Sequence, residues 1–330
     1  MKKEYLGIDL GSDNTVIYSS LTDEVIFNEP TCIVFNKANH KVKDIGFLAS
    51  KIQGKTPYTV EVIHPIINGL IYDDDATAEF LSQVFQRLRF DKRNRITSLI
   101  FTAPSLSGKT NRKVLIELGK KLLAKEIYIE PQAKISAFAT DLSSLVAPNA
   151  TLVCDIGAGV TDIALLSMGE VVASDSTNVA GKTFDEAIRR YMIQKQHLNI
   201  GIQSAEYIKM RIGSIADISE NRLVEVKGRD TITSLPSSVI VSSGEIKNVL
   251  IPLANYIVLK ITDVISVVPP ELAADISRNG LILTGGGSLL GGMAKYLQSQ
   301  LSIPVRVLDN PMEASKEGFR SYIRYLNDRQ

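Results

Sequence analysis

The sequence predicts an α/β protein built from two related halves. Three observations carry that reading. The first is a pattern that occurs twice, in Gly7-Ile8-Asp9-Leu10-Gly11-Ser12-Asp13-Asn14-Thr15-Val16-Ile17 and in Val153-Cys154-Asp155-Ile156-Gly157-Ala158-Gly159-Val160-Thr161-Asp162-Ile163. In each, an apolar run ends in Asp, Gly follows two positions later, Thr follows six positions later, and an apolar run resumes. The second is that short β-prone runs and segments of helical spacing share the chain. The third is length: 330 residues exceed the ~250–300 at which a single core stops growing.

The elements follow in order. Strands are expected over 4–10, 15–20 and 24–35, where apolar and β-branched residues dominate. Helical and loop segments are expected from there to about residue 75. Residues 76–89 place Phe80, Leu81, Val84, Phe85 and Leu88 on one helical side. A strand over 97–102 leads to Pro104, a helix covers about 109–124, a short strand 127–129 and a helix 132–142. Pro148 lies in the loop 143–150, where the halves are expected to meet. The second half opens with the repeated hairpin over 151–175. Helices are expected over 183–196, 204–212 and 243–265, with a polar, β-prone accessory sheet over 217–243. A strand over 281–283 runs into Thr284-Gly285-Gly286-Gly287-Ser288. A helix over 291–301, a strand over 304–308 and a last helix over 320–327 complete the chain. The expected boundaries are 1–142 for the first domain (small subdomain 33–75), 143–315 for the second (small subdomain 181–243), and a C-terminal helix, 316–330, returning to the first.

Each repeated segment reads as strand, tight turn, strand. Gly11 and Gly157 let backbone approach a ligand closely, and consecutive N–H groups in such a turn form an anion nest. The side chains of Ser12, Asn14, Thr15 and Thr161 either bind phosphate oxygens or hold the turn. Asp9 and Asp155 beside a phosphate would be repelled unless a cation lay between. They therefore imply Mg²⁺, held through waters because Mg²⁺ dehydrates reluctantly. The alternative is a pair of ordinary hairpins with Asp and Gly turns.

Composition excludes several classes. Apolar content of 45% and charged content of 22% suit a globular protein. A net charge of +1 gives no global field for nucleic acid. Cys32 and Cys154 form neither a metal spacing nor a disulfide framework. No secretory leader or bilayer-length apolar run is expected, which points to a reducing cytoplasm.

These motifs resemble the superfamily of actin, heat-shock chaperones and sugar kinases, and within it the MreB family of bacterial actins. The resemblance runs nearly end to end. Besides the two turns it rests on Asn28-Glu29-Pro30-Thr31, Ile129-Glu130-Pro131, Gly181 with Phe184-Asp185-Glu186-Ala187-Ile188, Ser204-Ala205-Glu206-Tyr207-Ile208-Lys209, and Leu283-Thr284-Gly285-Gly286-Gly287, all in the family's order. It implies an actin-like duplicated ATPase fold with ATP or ADP and Mg²⁺ at the bottom of an interdomain cleft. On that resemblance Asp9 and Asp155 are the Mg²⁺-water carboxylates. Gly11, Ser12, Asp13, Asn14 and Thr15 form one phosphate loop, and Gly157, Ala158, Gly159 and Thr161 the other, with Gly181 beside it. Glu130 orients or activates the attacking water, with Thr161 and Asp162 near the γ-phosphate. Glu206 and Lys209 contact the nucleoside, and Gly285, Gly286 and Gly287 turn against the adenosine. Glu206 and Lys209, three apart on a helix, share a face; the plain alternative is a surface ion pair worth little.

The resemblance also implies self-assembly into filaments at the inner membrane face, concerned with cell shape. Arg87-Leu88-Arg89-Phe90-Asp91-Lys92-Arg93-Asn94-Arg95 sets cations around Leu88 and Phe90. It reads as a peripheral membrane patch or as a solvated helix end. Three departures from the family bear on turnover: Val160 stands where a threonine is usual, Asp162 replaces Glu, and Asp13 adds negative charge to the first loop. Slow hydrolysis is expected, with a scarcely hydrolysing scaffold and a metabolite kinase as the alternatives.

Ala103-Pro104-Ser105-Leu106-Ser107-Gly108-Lys109-Thr110 fits a relaxed P-loop pattern after a strand and before a helix. It leaves both Asp-x-Gly turns without a purpose, so it reads as a surface turn. Lys109→Ala is accordingly expected to leave ATP binding unchanged in a titration with a fluorescent nucleotide; loss of binding would move the phosphate site there.

Overall fold

A computed structural model describes residues 4–55, 57–89, 98–216 and 221–329. The chain divides into two compact units, Met1–Ser143 with Glu313–Gln330, and Ser144–Met312.

The first unit is built on a five-stranded sheet ordered Glu126–Pro131, Ser98–Ala103, Tyr5–Leu10, Asn14–Ser19, Glu24–Pro30. The first three strands are parallel and the last two add as antiparallel hairpins. Every residue of Tyr5–Leu10 and of Ser98–Ala103 is buried. Such continuous apolar strands, rather than alternating ones, mark a sheet covered on both faces. The helix Asp74–Arg87 lays Phe80, Leu81, Val84 and Phe85 on the core. Its start is fixed by the Asp73 carboxylate, which accepts from the Ala76 amide at 2.8 Å.

The second unit repeats the plan. Its sheet runs Glu170–Thr177, Thr161–Ser167, Thr151–Ile156, Leu281–Thr284, Val305–Val307. Again a three-stranded antiparallel meander continues into parallel strands. Helix Ser243–Ser266 carries Ile246, Leu250, Ala254, Ile257, Ile261 and Val264 into this unit's core. Ser242 and Glu245 close a reciprocal capping box at its start.

Several expectations need correction. Residues 33–75 are not mainly helix and loop. They hold a three-stranded sheet of Ile33–Asn36, Val42–Ile45 and Val60–Ile63, followed by the small hairpin Ile66–Ile67 and Leu70–Ile71. Strands of two to four residues are too short to print a period-2 signal. Helix Pro270–Asn279 was not anticipated. Helix Ser243–Ser266, whose most apolar 18-residue stretch has mean hydropathy 1.6, is long and apolar enough by length and composition to cross a membrane. That overturns the expectation that no such run exists, although its apolar stripe is the one that packs in the core.

The C-terminal helix Ala314–Asp328 docks on the first unit's sheet through a close approach. A Cβ on Gly7 would stand 2.3 Å from the Phe319 ring, and one on Gly318 would stand 2.0 Å from the Ile135 carbonyl oxygen. Neither side has room to yield, because Phe319 is fully buried. Gly7→Ala is therefore expected to destabilise the protein by about 1–3 kcal/mol, read as a lower denaturant midpoint; an unchanged midpoint would show that the ring has space to move.

Candidate functional site

Both repeated segments form the expected hairpins, and their turns close identically. The Gly11 amide donates to the Asn14 carbonyl at 3.1 Å, and the Gly157 amide to the Val160 carbonyl at 2.9 Å. In the first turn Asp13 and Asn14 are exposed, whereas Ser12 and Thr15 are buried. The Thr15 hydroxyl lies 2.8 Å from that of Thr31, and the Gly69 amide donates to Ser12 Oγ at 2.7 Å. The Thr31 amide donates to the Asp13 carbonyl at 2.7 Å. Of the two roles open to Thr15 and Ser12, bracing the turn is the one these contacts fill. Thr31 braces Thr15 and the turn, and Gly69 braces Ser12.

Three parallel strand ends bring the first unit's polar groups into a row. Ile8 is registered with Phe101, so Asp9 follows level with Thr102, and Thr102 is registered with Glu130. Asp9 is 8% exposed. Its Oδ1 accepts from the Thr102 hydroxyl at 2.7 Å and its Oδ2 from the Ser315 hydroxyl at 2.6 Å. Burial pushes the Asp9 carboxyl above the usual carboxylate range, and the Ser315 and Thr102 hydroxyls oppose that shift. Glu130 Oε1 accepts from the Tyr322 hydroxyl, and Oε2 lies 3.1 Å from Lys134 Nζ.

In the second unit Asp155 is registered with Asp162 on one side and Thr284 on the other. Asp162 is 1% exposed. Asp155 is 4% exposed, so two buried carboxylates stand level on neighbouring strands. Burial, reinforced by the Asp155 and Asp162 charges, pushes the Cys154 thiol well above its usual range, so it is an inert core thiol. Thr161 is wholly buried and donates to the Val179 carbonyl at 2.7 Å. That bond ties the strand to the segment between Thr177 and helix Gly181–Lys195 and leaves the hydroxyl's acceptor lone pairs open. Ala158 and Gly157 are half-buried and Gly159 is buried. The Gly181 and Lys182 amides, opening helix Gly181–Lys195, donate to the Gly157 and Ala158 carbonyls at 3.0 and 2.7 Å.

The glycine cluster divides its labour. Gly285 has φ +78°, and a Cβ there would lie 2.4 Å from Asp155 Oδ1; one on Gly287 would lie 2.2 Å from the Ile156 side chain. These two let the turn seat against the strand that carries Asp155. A Cβ on Gly286 meets nothing within 4 Å, so Gly286 is the one of the three that leaves open space for a ligand. Lys209 does not pair with Glu206. Its ammonium lies 2.8 Å from Asp185 Oδ1 and donates to the Gly181 carbonyl at 3.2 Å, while Glu206 is exposed. Helix Ile202–Ile212 is thereby tied to the helix start beside the second turn.

Among the described residues no group of three or more His, Cys, Asp or Glu is placed to hold a metal. Each unit holds one buried aspartate at the strand end before its turn, Asp9 or Asp155, and only Asp9 is shown flanked by hydroxyls. A single carboxylate does not cage a cation; it suits one that keeps its waters and takes other oxygens as ligands. Leu88 is half-buried and packs on the first unit's core. Phe90 lies outside the described residues. Thr102, Ser315, Tyr322, Lys134 and Asp185 were missed by sequence reasoning. Only Lys134 left a local trace, four residues after Glu130.

The family described as MreB/Mbl protein matches residues 3–330. The chain belongs to the MreB/Mbl family. Two curated relatives of this MreB/Mbl chain span nearly its whole length. The cell shape-determining protein Mbl of Bacillus subtilis (strain 168) is 32% identical over 93% of this chain and 92% of its own. The cell shape-determining protein MreB of Escherichia coli (strain K12) is 31% identical over 95% of this chain and 91% of its own. The crystal structure of MreB 5 of Spiroplasma citri bound to AMPPNP superposes with a TM-score of 0.93 at 30% identity, covering 100% of this chain and 98% of that one. The MamK double helical filament shares the fold, with TM-score 0.82 at 17% identity over 98% of this chain and 99% of that one. The duplicated α/β plan is thus the actin-like ATPase fold.

Asp9 gives a prediction with a definite sign. A carboxyl whose folded pKa lies above its unfolded value stabilises the fold while protonated, and that contribution is lost as pH rises through the folded pKa. At neutral pH and without a cation, ionised Asp9 therefore costs stability. Asp9→Asn is expected to melt above wild type in neutral, nucleotide-free buffer, with the gap closing as pH falls through that raised pKa. A variant melting below wild type at every pH would show that the two hydroxyl contacts outweigh desolvation.

Proposed function

We propose that this MreB/Mbl protein binds ATP with Mg²⁺ through its two hairpin turns, hydrolyses it slowly, and assembles into cytoskeletal filaments concerned with cell shape. The observation that carries the reading is the twin turn, closed twice by the same backbone hydrogen bond and preceded twice by a buried aspartate. The relatives support it: two are cell shape-determining proteins, and the Spiroplasma structures hold AMPPNP and ADP.

The residues have separable tasks in this reading. Backbone amides of Gly11–Thr15 and Gly157–Thr161 hold phosphate oxygens. Asp9 and Asp155 would hold Mg²⁺ through its waters, and the ion would offset phosphate charge. Gly286 lets the adenosine approach backbone, and the exposed Glu206 reaches the ribose. Lys209 acts from behind, because Asp185 already neutralises it. Glu130 accepts a proton from the water that attacks the terminal phosphorus, giving ADP and phosphate. The Val160 side chain has no hydrogen-bonding group, and the Thr161 hydroxyl donates its proton to the Val179 carbonyl. Water is thus positioned by fewer groups, which supports slow turnover and favours the scarcely hydrolysing scaffold as the second reading.

ATP closing the protein into a filament-competent shape is a population shift driven by differential affinity. We further propose peripheral association with an anionic membrane face. With Leu88 half-buried on the core, the basic residues of 87–95 carry this association electrostatically, at about 1 kcal/mol each.

Purified protein is expected to sediment and to show filaments by negative stain with Mg²⁺-ATP, and to release phosphate slowly. Glu130→Ala should bind ATP normally but release phosphate at least about tenfold more slowly. Unchanged release would remove Glu130 from the chemistry, and phosphate transfer to a small metabolite without filaments would favour a kinase.

A further inference from the structure

We propose that the C-terminal helix Ala314–Asp328 is the positioning element for the hydrolytic carboxylate, and that Tyr322, together with Lys134, holds Glu130 in its working orientation. The proposal rests on the reading of Glu130 as the residue that engages the attacking water.

Ser315 and Tyr322 are seven residues apart, two helical turns, and so share a face. From that face Ser315 donates to Asp9 Oδ2 at 2.6 Å and Tyr322 donates to Glu130 Oε1. Phe319 lies between them, fully buried against Gly7, while Gly318 meets the Ile135 carbonyl. The helix is thus seated by packing that leaves it no freedom to slide, and its two hydroxyls meet the two acidic side chains of the strand-end row. Tyr322 is itself fixed: it is 3% exposed and its ring packs edge-on against Phe138 with centroids 5.0 Å apart.

Lys134 completes the arrangement. Its ammonium lies 3.1 Å from Glu130 Oε2 and 5.4 Å from the Tyr322 ring centroid. Each Glu130 oxygen therefore has one fixed donor. An ionised carboxylate has about four acceptor sites, so lone pairs remain for a water, and the Glu130 side chain is 17% exposed, enough to be reached. A carboxylate pinned at both oxygens presents those lone pairs in one direction. Fixing that direction before the reaction removes an entropic cost from the barrier. Since Glu130 engages water and not the nucleotide, the effect falls on kcat and leaves ATP affinity alone.

The test is a double-mutant cycle on the full chain, with phosphate release followed over a series of Mg²⁺-ATP concentrations. Tyr322→Phe keeps the ring and its packing and removes one donor. We expect its kcat to fall about three- to tenfold with KM unchanged, and the Tyr322→Phe/Glu130→Gln double variant to be no slower than Glu130→Gln alone. A merely structural tyrosine would lower the melting temperature and leave kcat in place. Wild-type turnover in Tyr322→Phe, or a full further loss in the double variant, overturns the proposal. If Glu130→Gln itself turns over like wild type, the hydrolytic reading of Glu130 fails first and takes the proposal with it. That result is distinct, because it is scored without the Tyr322 variants.

Discussion

The fold of the first unit is organised around a carboxylate that would be better solvated elsewhere. Asp9 ends a strand in which every residue is buried, and burial alone raises its proton affinity. Two hydroxyls compensate in part, one from the adjacent strand and one from a helix at the far end of the sequence. A buried charge of this kind is retained only where something beyond stability is gained.

The second unit meets the same constraint with different parts. Asp155 and Asp162 stand level on paired strands, and the glycine turn after Leu281–Thr284 folds over them with no side chain at Gly285. Here the missing side chain makes room for the carboxylate, since a Cβ on Gly285 would stand 2.4 Å from Asp155 Oδ1. The second turn is also buttressed by a helix start, through the Gly181 and Lys182 amides, and that helix is held in turn by Lys209 and Asp185. Duplication has kept the hairpin and its closing hydrogen bond while the surrounding braces diverged.

The braces change how individual residues are understood. Thr15 and Thr161 look like ligand-binding hydroxyls in a motif, yet both are wholly buried and bonded within the protein. Lys209 looks like one half of a pair with Glu206, yet its charge is matched by Asp185. Gly285 and Gly287 look like ligand contacts, yet their missing side chains make room for Asp155 and Ile156. In each case a residue that serves phosphate chemistry in outline serves the shape of the turn in detail.

The sequence by itself determined the duplicated hairpins, the long helices and the family, because those depend on local spacing. An apolar run, an Asp and a Gly at fixed offsets specify strand and turn wherever they fall in the chain. It did not disclose the short strands of 33–75, whose periodicity is too brief to register, or helix Pro270–Asn279. The tertiary structure alone decided which donors meet which carboxylates. Ser315 and Tyr322 reach Asp9 and Glu130 across 306 and 192 residues of sequence. Contacts at such separations follow from how helix Ala314–Asp328 packs, through Gly7 and Phe319, and packing is a property of the assembled core that no local pattern encodes.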